Sequence, residues 1–134
     1  MFASCSLPNS ERYGENFLVS KDPIVFLNHI VESIELIKEY TKEISNNKFR
    51  ESIQIQDSII RRLEIIGEAI KNIPKSLTVK YADIPRREIA GLRDVLIHQY
   101  FGIDLELTWE VIEKELPELE IKIRKVIEDL KKEE

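Results

Sequence analysis

Within the run RDVLIHQYFGID, an Arg, an Asp, a His and a Tyr fall in the eight residues from Arg93 to Tyr100, inside an otherwise apolar helical pattern. Each type could take a part in a small catalytic site. A guanidinium stabilises a developing anionic charge, an imidazole moves a proton near neutral pH, and a carboxylate orients the imidazole. The chain has no glycine-rich phosphate loop, no HExxH and no CxxC. Enzyme chemistry therefore has to come from RDVLIHQY.

On an ideal helix each residue turns by about 100°. With Ile89 at zero, Leu96, Tyr100 and Arg93 fall near about 340°, 20° and 40°, which puts Arg93 inside the apolar stripe. A guanidinium there is unfavourable unless it is paired or serves an anion. Glu64 or Glu68 on another helix could pair with it, or its stem could lie along the surface. Asp94 and His98 stand four apart on one helical face, where the carboxylate would fix the ring's tautomer. The last turn of a helix also favours imidazolium. Taken alone, such an Asp/His pair is more often an ordinary helix contact than an active site. Arg93 and His98 point roughly 140° apart on the wheel. They converge only through a distorted helix end, a wrapping Arg side chain, or two copies meeting across a dimer. The dimer is the favoured arrangement, with Tyr100 at the edge of the shared cleft.

The elements that must hold these residues are read from apolar spacing and caps. Asp22 is an N-cap and Pro23 a first helical residue, opening an amphipathic helix to about Ile44 through Leu27, Ile30, Val31, Ile34 and Ile37. After a break at Ser45–Asn47, a second helix is expected from Phe49 to Ile73, with Gln56 on its stripe and Gly67 marking a close helix approach. Pro74 ends it, and SLTVKYADI connects to a third helix from Pro85 to about Phe101, stopped by Gly102. Asp104 caps a fourth, and at Pro117 a break is favoured, with the proline in the first turn of a last helix to about Leu130. The spacing predicts an all-α, antiparallel bundle of four to five helices, with pairs crossing at about 20°. Residues 1–20 carry no sustained period and read as a poorly structured N-terminal extension, leaving 21–134 as one domain.

Composition agrees with that class: 34% charged, 43% hydrophobic, four Gly and five Pro in 134 residues. A net charge of −5 argues against non-specific binding of long duplexes, which needs many cationic contacts, but permits a small site acting on RNA. Arg86, Arg87 and Arg93 are concentrated in one segment, where Asp83 or Glu88 could pair with the first two. The single cysteine, Cys5, excludes an internal disulfide framework and points to a reducing compartment. No apolar run reaches the roughly 18 residues that would span a bilayer, and the N-terminus lacks a signal-peptide pattern, so a cytoplasmic, membrane-free protein is expected. His29 reads as structural, and Glu106, Glu110 and Glu113 read as a solvated face rather than a metal site.

The segment from Arg93 to Tyr100 resembles the R-x4-H-x-Y signature of the HEPN superfamily, specifically HepT-like toxins. RRLEIIGEAIKNIP, IAGLRDVLIHQYFGID and TWEVIEKELPEL look like that family's successive helices, and the likeness covers about Asp22 to Leu130. The resemblance implies an all-helical homodimer acting as a metal-independent endoribonuclease toxin of a type VII HEPN/MNT toxin-antitoxin system, without a cofactor. It implies Arg93 and His98 as catalytic, Asp94 as supporting, and Tyr100 as the residue that an MNT-type nucleotidyltransferase antitoxin modifies with AMP. The alternative is a non-catalytic HEPN accessory subunit that binds a nucleotidyltransferase partner. A purely structural helical dimer is a third reading.

Overall fold

The computed structural model describes residues 22–98 and 102–133. The expected extension over 1–20 lies outside the described residues. Helix α1 spans Pro23–Thr41, and the Asp22 carboxylate accepts the Ile24 amide proton at 3.0 Å as its cap. Ser45 then caps a short helix α2, Asn46–Glu51, and Ser52 caps α3, Ile53–Lys71. The long second helix expected from Phe49 is therefore two helices, because Ser52 adopts an extended backbone (φ −105°, ψ 102°) and restarts the chain in a new direction. Gln56 makes that corner self-sufficient. Its amide donates to the carbonyls of Phe49 at 2.9 Å and Arg50 at 3.1 Å, satisfying acceptors at the end of α2. A polar residue on the apolar stripe thus has a structural reason.

After Pro74, α4 spans Lys75–Lys80, α5 Arg86–Ala90 and α6 Leu92–Leu96. A two-residue strand β1, Ile97–His98, pairs antiparallel with β2, Gly102–Ile103, and Asp104 caps α7, Leu105–Glu110. A π-helical turn over Val111–Glu115 leads without a break into α8, Leu116–Lys132. The break favoured at Pro117 is corrected by that turn. The Leu116 N–H reaches back to the Val111 carbonyl, five residues away, and this wider turn accommodates the proline in the first turn of α8.

Leu27 at the start of α1, Ile70 near the end of α3 and Val126 late in α8 line one small cavity. Lys38, near the end of α1, pairs with Glu120, early in α8. Both α3 and α8 therefore run antiparallel to α1. Their shared core includes the fully buried Ile30, Ile34, Ile37, Ile59, Leu63, Ile66 and Ile123. Each such side chain contributes about 1.5–3 kcal/mol relative to exposure. Phe49 from α2 is equally buried and meets the Trp109 ring of α7, centroids 5.2 Å apart, tying the small helices to the bundle. No helix among the described residues is long and apolar enough to cross a membrane.

Candidate active site

Two close contacts set α5 and α6 against α3. At Gly67 a Cβ would meet the Ile89 carbonyl oxygen at 3.2 Å and that of Ala90 at 3.5 Å, so the helices touch backbone to side-chain-free backbone, as expected from the glycine. About one helical turn earlier along α3, the Nε–H of Arg93 donates to Glu64 Oε2 at 2.8 Å. Arg93 is not sealed in the core. Its side chain is 54% exposed and that of Glu64 33%. The unfavourable guanidinium inferred from the wheel is resolved by one of the two partners considered, Glu64, and by access to solvent.

The helix expected to run from Pro85 to Phe101 is shorter and interrupted. The chain breaks at Gly91 between α5 and α6, and the helix stops at Leu96. Ile97 is extended (φ −105°, ψ 115°), the Leu96 carbonyl accepts the Asp104 N–H at 2.7 Å, and Gly102 takes φ +80°. A β-branched residue favours that extended backbone, and the left-handed conformation suits glycine, so the chain turns back as a hairpin instead of continuing helically. The i,i+4 helical register expected between Asp94 and His98 does not exist, because His98 belongs to β1 and pairs with Gly102. The 140° separation read from the wheel lapses with it. Arg93 and Asp94 stand exposed on α6, and the backbone of His98 follows directly in the hairpin. The His98 side chain and Tyr100 lie outside the described residues.

The neighbouring arginine has a different duty. Arg86 donates through Nε to the Ile70 carbonyl at 3.2 Å and through Nη2 to that of Lys71 at 3.0 Å, closing the end of α3 rather than pairing with Asp83 or Glu88. This capping of a distant helix was not foreseen, since the sequence carries no sign of which carbonyls an Arg will meet. A hollow of about 250 Å³ beside α5 and α6 is lined by apolar side chains such as Ile66, Ile89 and Leu116 and by Glu88, Glu115, Glu118 and Lys122. Its apolar walls and three carboxylates against one cation, Lys122, which is itself paired with Glu118, are a poor match for a phosphodiester. Glu106, Glu110 and Glu113 are exposed, as expected, and among the described residues no three His, Cys, Asp or Glu side chains gather as a metal site.

Comparison with known proteins follows the same segment. The family described as "Ribonuclease HepT-like" matches residues 30–126. "Putative RNase TTE0752" of Caldanaerobacter subterraneus is 43% identical over 108 residues, covering 81% of this chain and 96% of that protein. "Probable ribonuclease HepT" of Thermococcus cleftensis is 45% identical over 101 residues, covering 75% of this chain and 92% of its own length. "Gamma-glutamylcyclotransferase and putative RNase MJ0434" of Methanocaldococcus jannaschii is 54% identical over 112 residues, which is 84% of this chain but only 50% of that larger protein. No solved structure matches this chain closely enough to count as a match.

Proposed function

The chain belongs to the ribonuclease HepT-like family, and from that premise we propose that it is a metal-independent endoribonuclease whose chemistry is carried by Arg93 and His98. The RNA 2′-hydroxyl attacks the adjacent phosphorus, and the bond from phosphorus to the 5′-oxygen breaks, leaving a 2′,3′-cyclic phosphate and a 5′-hydroxyl. Arg93 neutralises the charge that builds on the phosphorane oxygens, and His98 moves the proton taken from the nucleophile or given to the leaving oxygen. Asp94, exposed beside Arg93, supports the imidazole. Two chains paired as a homodimer bring their α6–hairpin segments together, so that one cleft draws on both protomers. Tyr100 is the point of control. AMP attached there by an MNT-type nucleotidyltransferase antitoxin sets a phosphate and a base where the substrate has to sit.

The observation that most supports this reading is the half-exposed Arg93 guanidinium, held to Glu64 from α6 and followed by the hairpin that begins with Ile97 and His98. The test uses purified protein and RNA in excess EDTA. Cleavage to cyclic-phosphate ends is expected, with a loss of about 10²–10³-fold in Arg93→Ala and in His98→Ala, the range for removing one group that stabilises transition-state charge. Cleavage unaffected by both substitutions refutes the assignment. Co-expression with an MNT-type nucleotidyltransferase should add whole AMP units to the intact mass, and the addition should vanish in Tyr100→Phe.

A further inference from the structure

Among the described residues, Arg93 is bound differently from Arg86 and Arg124. Arg86 spends Nε and Nη2 on two carbonyls, and Arg124 spends Nε on Glu120 at 2.9 Å and Nη2 on Glu35 at 2.6 Å. Both guanidinium groups spend a terminal nitrogen on the fold. Arg93 donates only Nε–H, to a single Glu64 oxygen, and neither of its Nη nitrogens has a hydrogen bond to the described residues. Arg50 also uses Nε alone, but on the uncharged Asn46 one turn back in its own exposed helix. Only Arg93 of these four is held from another helix by a carboxylate while its terminal edge bonds none of the described residues.

The carboxylate is well founded. Glu64 projects from α3 between residues that are anchored in the core, Ile60 and Leu63 on one side and Ile66 and Gly67 on the other. The backbone approach of Gly67 to Ile89 holds α5 at a fixed distance from that anchor. A guanidinium offers five N–H groups in a rigid plane. Fixing Nε–H therefore fixes the orientation of the edge carrying Nη1 and Nη2, the edge able to bind two phosphate oxygens side by side.

We propose that Glu64 is the positioning residue of this site: by accepting Nε–H it presents the Nη1/Nη2 edge of Arg93 to the scissile phosphate. This rests on the ribonuclease reading above. Glu64 acts through Arg93 and touches no substrate. Its required property is an acceptor oxygen at this reach. Gln supplies one, whereas Asp is one methylene too short and Ala has none.

The test compares wild type, Glu64→Ala, Glu64→Asp, Glu64→Gln and Arg93→Ala in steady-state cleavage of a short RNA, with circular dichroism melting to normalise for folded protein. Glu64→Ala and Glu64→Asp should lower kcat at least about tenfold with KM nearly unchanged, since misplacement of a catalytic group by about 1 Å can cost about 10²-fold. Glu64→Gln should restore most of the rate. A Glu64→Ala enzyme with wild-type kcat, or a Glu64→Gln enzyme as slow as Glu64→Ala, overturns the proposal. If Arg93→Ala cleaves at the wild-type rate, the catalytic assignment of Arg93 itself fails. If Arg93→Ala is dead while Glu64→Ala is not, only the positioning role fails. A second measurement needs no turnover. The Arg93 Nε–Hε resonance should be protected from exchange in wild type and Glu64→Gln, remain so on titration with non-cleavable 2′-O-methyl RNA, and lose protection in Glu64→Ala. Equal exchange in wild type and Glu64→Ala, or loss of protection when the RNA binds, refutes it.

Discussion

Gly67→Leu probes the joint on which the whole site stands. The first atom of the new side chain would lie 3.2 Å from the Ile89 carbonyl oxygen, and the next neighbours are the Ala90 carbonyl at 3.5 Å and its Cα at 3.8 Å. All three are backbone atoms of α5, so no side chain can swing aside. Either α5 moves away from α3 or α3 distorts. Overpacking of this kind is unfavourable by about 1–3 kcal/mol, and a wholly backbone obstacle argues for the upper end. Removing a helical glycine returns about 1 kcal/mol at most. The net loss is about 2 kcal/mol, which for a chain of this length lowers Tm by about 6–10 °C. Thermal melting followed by circular dichroism measures it. Gly67→Ala adds only the first carbon, so its propensity gain and its tight contact nearly cancel, and a Tm within about 3 °C of wild type is expected. Because α5 leads directly into α6, Gly67→Leu should also draw Arg93 away from Glu64 and reduce RNA cleavage by more than the loss of folded protein explains. A Tm of Gly67→Leu within about 2 °C of wild type would show that the approach is not a constraint.

Gln56→Leu keeps the volume of a nearly buried side chain but withdraws two hydrogen bonds from the end of α2, so a loss of about 1 kcal/mol is expected, read as a fall in the urea midpoint. For Glu120, burial pushes the carboxyl up, but hydrogen bonds from Lys38 and Arg124 outweigh it and hold its pKa below the ordinary 4.5. A depressed folded value means that the stabilisation is complete above about pH 4.5 and is lost as pH falls further. Glu120→Gln should therefore be less stable than wild type at neutral pH, and the gap should narrow below pH 4.5 in urea titrations. A gap that widens on acidification contradicts that sign.

What could be read from the residue string divides along a physical line. Caps and apolar periods are local, so Asp22 and Pro23 at the start of α1, Asp104 at the start of α7, and the stripe through Ile30, Ile34 and Ile37 appear where their spacing puts them. Gly67 was also legible, since a glycine deep in a strong helical pattern needs a reason, and contact with α5 supplies it. Interruptions were less legible. Ser52 lies in an unbroken apolar period, yet its hydroxyl caps a new helix, because a serine can serve as a mid-helix residue or an N-cap and the choice is made by the packing of Phe49 on either side of the corner. Pro117 shows the converse. Pro117 stands in the first turn of a helix, as its position suggests, but the break expected before it is absorbed by one wide turn along which Val111, Ile112 and Leu116 are buried.

The same division explains the site. The wheel treated residues 85–101 as one rigid cylinder, and on that premise Arg93 was deep, Asp94 faced His98, and Arg93 and His98 diverged. The chain instead leaves the helix after Leu96, so the relation of His98 to Arg93 is set by a hairpin, whose geometry is not a function of 100° steps. Residue types survived that change better than angles did. An Arg near an apolar stripe still needed an anionic partner, and Glu64 was one of two carboxylates able to reach it. Ending the helix at Leu96 takes the backbone of His98 off the helical face while leaving Arg93 on one. On the proposed reading, a group that meets developing charge gains from being fixed in advance, and the bond from Arg93 to Glu64 is what would fix it.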